Sequence, residues 1–406
     1  MRGGDAAGLR AYNERRVIDA VLRAGAASKA EVARATGLSA QAAKSIVDRL
    51  LEQGLLEKGA APGAGARGRG QPATPVTVAG TGAFSLGVKI GRRSVEALLI
   101  DLRGEVVDAR AQRLEAPLPG PVIAAATGQA RALLEAMPPE HRKRLAGVGL
   151  ALPGEMDAWA DELGAPPAAL ARWREVDPQL ELEVATGEPV LACNDAAAAC
   201  VAELLMGEAL DVASALYIHI GAFVGGGVVL NGRLFPGAQR NAGALGSMPL
   251  AGRGRRQLIH AASGVGLARA LRAAGIEVTA AMAGNAGAAA DAVFEAWAAE
   301  AAPALARAVV SALAVIDFEA VVLDGVLPPL WRRRLLDETR EAMMRFDRTG
   351  LSPVSIRAGV LGGEARVLGA AMLPLQARFA PEPELLVRRT MARREANAAE
   401  AGGSRE

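Results

Sequence analysis

Residues 28–51 read SKAEVARATGLSAQAAKSIVDRLL, and this stretch predicts two short helices separated by a tight turn. Ser28 is followed three residues later by Glu31, which is the capping-box pattern of a helix N-terminus. Gly37-Leu38-Ser39 supplies the turn, because glycine adopts the left-handed backbone that ends a helix and serine caps the next one. The apolar residues after Ser39 recur at helical spacing. The pattern is typical of a helix-turn-helix.

The flanking sequence predicts a winged form of this motif. Upstream, apolar residues at helical spacing predict a first helix that begins near Asn13 and stops at Gly25. Downstream, residues 55–58 and 74–78 predict the two strands of a wing, and the Gly- and Arg-rich residues between them are unsuited to a core. A small structural bundle is the alternative for the three helices, but the order of turn, wing and basic segment favours DNA binding.

The second helix of a helix-turn-helix enters the major groove of DNA with its first residues. Here those residues include Ser39, Gln41, Lys44 and Ser45. Glutamine pairs with adenine, lysine reaches guanine or phosphate, and serine hydrogen-bonds to several bases. Arg49 lies further along the helix and is expected to contact the DNA backbone.

Arg67 and Arg69 lie in the segment between the wing strands. Spaced arginines on a flexible arm suit the negative potential of a narrow minor groove. A plain solvated linker is the alternative for this segment.

Bulk composition places few further limits. The 406 residues allow two or three domains, and a net charge of +2 does not by itself indicate nucleic acid. Two cysteines, Cys193 and Cys200, fit a reducing compartment. The N-terminus lacks the pattern of a secretory signal, and no apolar run is long enough to span a bilayer, so a cytoplasmic location without membrane association is expected.

From residue 83 the pattern changes to α/β. Residues 84–90 and 95–100 predict a hairpin around Gly91, and a Gly-rich turn is expected between strands at 215–220 and 226–230. A helical region at 285–315 is expected to be interrupted at Pro303.

Four motifs follow one another in this region. They are GVGLALPGEMD at 147–157, NDAAAA at 194–199, GAFVGGG at 221–227 with Asn231-Gly232, and AGALGSM at 242–248. With the N-terminal pattern, these motifs resemble the ROK family of repressors, open reading frames and kinases over residues 13–375. The resemblance implies an α/β chain in which a winged helix-turn-helix precedes a two-lobed, actin- and hexokinase-like domain with a cleft between its lobes.

The resemblance also implies a division of the chain. Residues 1–78 correspond to the DNA-binding domain with its linker, 79–380 to the ROK domain, and 381–406 to a tail expected to be disordered.

The same resemblance implies a ligand site at Pro153, Gly154, Asn194 and Asp195. Asp195 matches the catalytic base of the family's kinases, and a helix N-cap is the alternative for it.

The nucleotide motifs of the kinases are altered in this sequence. Where the family has Asp-x-Gly-Gly-Thr, the chain has Lys89-Ile90-Gly91-Arg92-Arg93, and in the second phosphate loop Ala222 and Phe223 replace Thr and Gly. Gly225–Gly227 remain and are interpreted as a tight turn between strands. Asp324-Gly325-Val326 replaces the triple glycine of the adenosine side. No kinase activity and no nucleotide cofactor are therefore expected.

The zinc and sugar ligands of the family are altered as well. Ser247 stands at the histidine position, and residues 251–257 lack the family's cysteines, so no metal is expected. His219 and His260 are interpreted as structural. Ala244 and Ile259 replace two glutamates that bind sugar hydroxyls, which suggests a ligand less hydroxylated than an ordinary hexose.

These observations predict a DNA-binding transcriptional regulator, a repressor by family resemblance, concerned with carbohydrate metabolism. The resemblance implies a homodimer or homotetramer on a pseudo-palindromic operator, with a sugar or sugar-like effector. One alternative is an active ROK kinase that phosphorylates a hexose with ATP. The other is a regulator whose cleft binds no small molecule.

Overall fold

The computed structural model describes residues 6–59, 74–92, 94–154, 156, 166–207, 212–250 and 256–381. The helices of this part are α1 Ala6–Ala24, α2 Lys29–Thr36, α3 Ala40–Glu52, α4 Pro119–Ala136, α5 Pro139–Arg142, α6 Pro167–Ala171, α7 Pro178–Thr186, α8 Asp195–Met206, α9 Leu258–Ala262, α10 Gly264–Ala273, α11 Val278–Met282, α12 Gly287–Leu313, α13 Pro329–Met343 and α14 Ala365–Phe379. The strands are β1 Leu56–Lys58, β2 Val76–Val78, β3 Phe84–Ile90, β4 Ser94–Asp101, β5 Val106–Arg113, β6 Leu145–Leu152, β7 Val190–Asn194, β8 Ala215–Ile220, β9 Val224–Leu230, β10 Arg233–Phe235, β11 Ala320–Gly325 and β12 Ser355–Ala358. None of these helices combines the length and hydropathy that crossing a bilayer requires.

The N-terminal elements form a winged helix-turn-helix, as the sequence predicts. Ser28 caps α2 in a complete capping box with Glu31, and Gly37 ends that helix with φ of 63°. Strands β1 and β2 pair antiparallel as the wing. Helix α1 begins at Ala6, so the predicted start near Asn13 was wrong. A helix continues for as long as its residues tolerate helical backbone, and alanine and leucine before Asn13 favour it.

The rest of the chain forms two lobes, each built on a five-stranded sheet. The first lobe has the strand order β5-β4-β3-β6-β7, and the second has the order β10-β9-β8-β11-β12. Strands β3, β6 and β7 are parallel to one another, as are β8, β11 and β12. Ligands of open α/β sheets bind at the carboxyl ends of such strands. The carboxyl edges of the two sheets here border a common cleft.

Helices α8 and α14 join the lobes, and glycines let them approach their neighbours closely. A Cβ atom at Gly369 of α14 would lie 1.7 Å from the carbonyl oxygen of Ala198 in α8. A Cβ atom at Gly149 of β6 would lie 1.8 Å from the carbonyl oxygen of Ala370. A side chain at either position would push α14 away from α8 or from β6, so these glycines set the spacing between the layers.

The winged head is docked on the first lobe through polar contacts and a shared apolar core. The Arg144 guanidinium donates hydrogen bonds to the carbonyl oxygens of Gln53, Gly54 and Gly82 at 3.3–3.4 Å. The core runs without a break from the head to residues of β4 and α14. At the far end of α14, Arg15 of α1 donates to the carbonyl oxygen of Ala380 at 3.2 Å.

Two local predictions for the lobes were wrong. Gly225–Gly227 do not form the turn between β8 and β9; they lie inside β9, and the turn is Gly221-Ala222-Phe223. These glycines serve close packing instead, since a Cβ atom at Gly227 would lie 2.6 Å from the Cβ atom of Cys200 in α8. Glycines of this kind resemble turn glycines in a sequence.

Pro303 does not interrupt its helix, because α12 runs unbroken from Gly287 to Leu313. The proline is exposed, so water can satisfy the carbonyl group that lacks its amide partner. Buried residues on both sides of Pro303, such as Ala298 and Leu305, hold the helix together.

Two helical glycines offer a direct test of the close packing. Gly369→Ala should destabilise the protein by about 2 kcal/mol or more, because the added methyl group overlaps a backbone carbonyl. Gly128→Ala in α4, where no atom lies within 4 Å of the new Cβ atom, should stabilise it by roughly 0.5–1 kcal/mol. Urea unfolding of the two variants measures both effects, and equal shifts would contradict this account.

Candidate functional site

The first candidate surface is the N-terminal half of α3. The hydroxyl oxygen of Ser39 accepts a hydrogen bond from the amide of Ala42 at 3.2 Å and caps the helix. Ser39, Gln41, Lys44 and Ser45 are all exposed, so the structure brings these predicted base-reading residues together on one face. The opposite face is buried in the head. The arrangement leaves polar side chains free to enter a DNA groove.

The predicted backbone-binding arginines are placed differently. The guanidinium of Arg49 lies 2.7 Å from the carboxylate of Glu14, so it already links α3 to α1. Phosphate contact by Arg49 would compete with this ion pair. Arg67 and Arg69 lie outside the described residues.

The second candidate site is the cleft between the lobes, which has a volume of about 780 Å³. The four residues implied by the family resemblance, Pro153, Gly154, Asn194 and Asp195, all line it. Gly154 lies beside the side-chain amide of Asn194, with 3.7 Å between the position of a Cβ atom and Nδ2. The structure therefore brings these residues together.

Asp195 is not the N-cap of α8, so that alternative was wrong. Asn194 is the cap, and its Oδ1 accepts a hydrogen bond from the amide of Ala196 at 2.9 Å. Asp195 is the first helical residue, and its carboxylate lies 3.5 Å from the guanidinium of Arg366 on α14. Asn194 reaches the free amides because it precedes the helix, which leaves Asp195 to face the cleft.

The residues at the first phosphate motif are held by internal contacts. Lys89 is almost fully buried, and its Nζ donates to Glu96 at 2.7 Å and to Ser94 at 3.2 Å. Burial and the charge of Arg366 lower the pKa of Lys89. The ammonium group of Lys89 is therefore bound by side chains of the neighbouring strand β4 rather than directed to a ligand.

Arg92 and Phe223 meet across the cleft. The guanidinium carbon of Arg92, from the turn after β3, lies 4.2 Å from the centre of the Phe223 ring, in the turn after β8. Such a contact is attractive because the ring face is negative. Burial lowers the pKa of Arg92 to about 10. The contact joins the two turns that, by the family resemblance, correspond to the phosphate loops of the kinases. Arg93 lies outside the described residues.

The wall contributed by the second lobe is mostly apolar or small. Ala244, Ser247 and Ile259 line the cleft at the positions where the resemblance implies sugar and zinc ligands. Within the described part of the chain, no group of three His, Cys, Asp or Glu side chains is arranged to hold a metal.

A buried network of hydrogen-bonded side chains ends at a residue of the cleft wall, and the sequence did not predict it. Arg332 pairs with Asp324 at 2.5 Å, and Tyr217 donates its hydroxyl proton to Asp324 at 3.2 Å. Nδ1 of His219 lies 3.1 Å from the Tyr217 oxygen. The carboxylate of Asp324 is the stronger acceptor for the Tyr217 proton, so we assign the proton of His219 to Nδ1. His219 lines the cleft, and its Nε2 has no hydrogen-bond partner among the described residues.

One signal in the sequence points to this network. Tyr217 and His219 are two residues apart on β8 and therefore share a face. His219 pairs with Asp324 in the register of β8 and β11, which are parallel strands. This hydrogen-bonded network can be recognised only when the pairing of β8 with β11 is known, and that pairing links residues more than a hundred positions apart. His219 is therefore not isolated, as was predicted, but belongs to a buried hydrogen-bonded network. His260 acts locally, since its Nδ1 accepts from the amide of Gln257 at 3.0 Å.

These features define a class of protein: a winged helix-turn-helix head joined to a sugar-kinase-like domain in which the turns after β3 and β8 contact each other. The ROK family model matches residues 85–377 and the MarR family model matches residues 11–67. The chain belongs to the ROK family.

Individual relatives match the chain over different lengths. A Sinorhizobium fredii protein described as uncharacterized is 28% identical over 90% of this chain and 91% of its own length. The xylose repressor of Bacillus subtilis is 24% identical over 60% of this chain, which spans 61% of that repressor. Kinases also match the chain.

A solved structure shows the same fold over nearly the whole chain. It is a ROK family transcriptional regulator described as a homolog of the Escherichia coli MLC protein, at 21% identity and a TM-score of 0.66. The match covers 94% of this chain and 98% of that one.

The burial of His219 predicts an acid-sensitive fold. Burial and the nearby positive charges of Arg366, Lys89 and Arg332 hold the pKa of His219 well below its usual range. The unfolded chain binds a proton at this residue near its ordinary pKa of about 6.5, whereas the folded chain does not, so stability falls as pH drops below about 6.5. Urea midpoints between pH 7.5 and 5.5 should fall less in His219→Phe than in the natural protein. Val184→Phe, at an exposed position without a titratable group, is the control and should keep the natural slope.

Proposed function

We propose that this protein is a DNA-binding transcriptional regulator, acting as a repressor, whose ROK domain is an effector-binding module. The observation that carries the proposal is the exposed polar start of α3 on a winged head docked to the first lobe. The similarity to the xylose repressor of Bacillus subtilis supports the sign of regulation.

DNA contact is assigned to Ser39, Gln41, Lys44 and Ser45, with Gln41 as the main base-reading residue. Arg67 and Arg69 remain the proposed minor-groove arm, on sequence grounds alone. Arg49 has a weaker case because Glu14 already binds it. A homodimer or homotetramer would present two such helices to a pseudo-palindromic operator.

Residues 79–380 are proposed to act without kinase chemistry. A kinase needs open backbone donors around the transferred phosphoryl group. Arg92 and Phe223 place bulky side chains in contact where the kinases have small residues, and Glu96 binds Lys89. Asp195, the residue that matches the kinases' base, then serves as a ligand contact paired with Arg366.

Helix α14 gives the effector site a route to the head. Its first turn carries Arg366, which lines the cleft, and its last residues lead to Ala380, which binds Arg15 of α1. An effector that binds one arrangement of the lobes more tightly than another would shift the position of the head. A sugar-like effector is therefore proposed to control operator binding through this helix.

Selection of genomic DNA fragments by the full-length protein tests DNA binding. A shared palindromic sequence should be enriched at moderate salt. Gln41→Ala should lower affinity for it by about 1–3 kcal/mol and relax base preference at one position in each half-site. Lys143→Ala, an exposed lysine on the first lobe, is the control and should bind like the natural protein. Unchanged specificity in Gln41→Ala would show that another surface reads the DNA.

A coupled assay of ADP release, with a panel of hexoses and Mg-ATP, tests the loss of kinase chemistry. No sugar-dependent turnover above background is expected, since Arg92 and Phe223 replace the small residues that approach phosphate in the kinases. Turnover that depends on sugar and disappears in Asp195→Asn would establish the kinase alternative.

A further inference from the structure

We propose that the effector of the cleft is a small organic anion that also carries hydroxyl groups. Its anionic group would lie at Arg92 and Arg366, and one of its hydroxyl groups would donate to Nε2 of His219. The inference rests on the proposed function, which makes the cleft an effector site, and it names the chemistry of that effector.

The balance of charge in the cleft favours an anion. Its described lining residues include Arg92, Arg240 and Arg366, and Asp195 is the single carboxylate among the described lining residues. Lys89, just behind the lining, is neutralised by Glu96. In the described part of the chain, Arg92 contacts the Phe223 ring and forms no ion pair.

Two of these arginines have buried donors without acceptors. Nε of Arg92 and Nε of Arg366 are both inaccessible to solvent and form no hydrogen bond in the described structure. An unpaired buried donor costs about 1–3 kcal/mol, and more when it is charged. A carboxylate or phosphoryl group supplies several acceptor oxygens and suits the fork of a guanidinium. Asp195 satisfies Arg366 only in part, because their closest atoms are 3.5 Å apart.

His219 places a second requirement on the ligand, which must offer a hydrogen-bond donor to this residue. The residue is 2% exposed and lines the cleft, and its Nε2 has no partner among the described residues. With the proton of His219 assigned to Nδ1, Nε2 is a hydrogen-bond acceptor. An anionic oxygen would be repelled there, whereas a hydroxyl group would satisfy the ring. The ligand must therefore carry a donor as well as a negative charge.

A neutral hexose matches this cleft poorly. Hexose hydroxyls are usually bound by carboxylates, and the lining has Ala244 and Ile259 where the family resemblance implies glutamates. A hexose also offers no charge to Arg92. Sugar acids and sugar phosphates share the required chemistry, and the two differ only in the anionic group.

Isothermal titration calorimetry of the full-length protein tests the inference and separates the two sources. The probes are glucuronate and gluconate, glucose 6-phosphate, neutral glucose, and propionate as a carboxylate without hydroxyl groups. At least one hydroxylated anion should bind tenfold or more tightly than both glucose and propionate. The preferred anion identifies the source as a carboxylate or a phosphate. Binding of glucose as tight as that of every anion, or no anion binding at millimolar concentration, would overturn the proposal.

Matched variants locate the anionic group. Arg366→Met and Arg92→Met should each weaken binding of the preferred anion about tenfold or more, and Arg366→Lys should restore part of it. Arg345→Met, at an exposed arginine just after the end of α13, is the control and should leave affinity unchanged. Unchanged affinity in both Arg366→Met and Arg92→Met would place the anion elsewhere and overturn the proposal. Urea midpoints confirm that each variant is folded.

A second pair of variants tests the hydroxyl contact. His219→Phe should weaken the hydroxylated anion but not propionate, whereas His219→Gln offers an acceptor near the position of Nε2 and should restore binding. Equal losses in the Phe and Gln variants would assign His219 a structural role and overturn this contact. Operator binding is measured separately on the same preparations. If the protein binds the anion but no DNA, the regulator proposal is contradicted and the ligand proposal stands. If neutral sugars release the operator and anions do not, the proposed ligand class is contradicted and the regulator proposal stands.

Discussion

Helix α14 lies against β3, β6 and α8, and a glycine stands at each crossing: Gly87, Gly149 and Gly369. Without side chains at these points, the helix backbone approaches its neighbours to van der Waals contact. This spacing fixes three things at once. It sets the distance between the layers of the first lobe, it places Arg366 at the cleft, and it carries the end of the helix to the winged head. Each candidate site depends on where this helix lies.

Much of the fold can be predicted from short, local sequence patterns. The capping box of Ser28 and Glu31, the left-handed Gly37 and the hairpin around Gly91 need only neighbours in sequence, and all three are found where the sequence predicts them. The run of glycines in β9 looks like a turn in the sequence, but these glycines are needed because α8 packs closely over them. The role of such a glycine is decided by tertiary contacts, which a single sequence does not display.

The candidate sites divide in the same way. Pro153, Gly154, Asn194 and Asp195 could be placed in one cleft because motifs of a family keep their order. Arg92 could be seen as a departure from those motifs, but its position over Phe223 joins two turns that lie far apart in the chain. The histidine acceptor at the cleft was less predictable still, since its proton is fixed by a tyrosine and an aspartate on two different strands. Polar networks of this kind appear only when strand register is known.

Arg144 has a consequence for how this architecture diversifies. Its guanidinium is bound to carbonyl oxygens of the head and of the segment that enters the first lobe, and the apolar core is continuous across the same boundary. The head is therefore not a portable module on a tether. A chimaera that exchanged only the winged helices between relatives would break hydrogen bonds and expose apolar surface at the seam. New operator preferences should arise more readily by point changes on the exposed face of α3 than by exchange of whole heads.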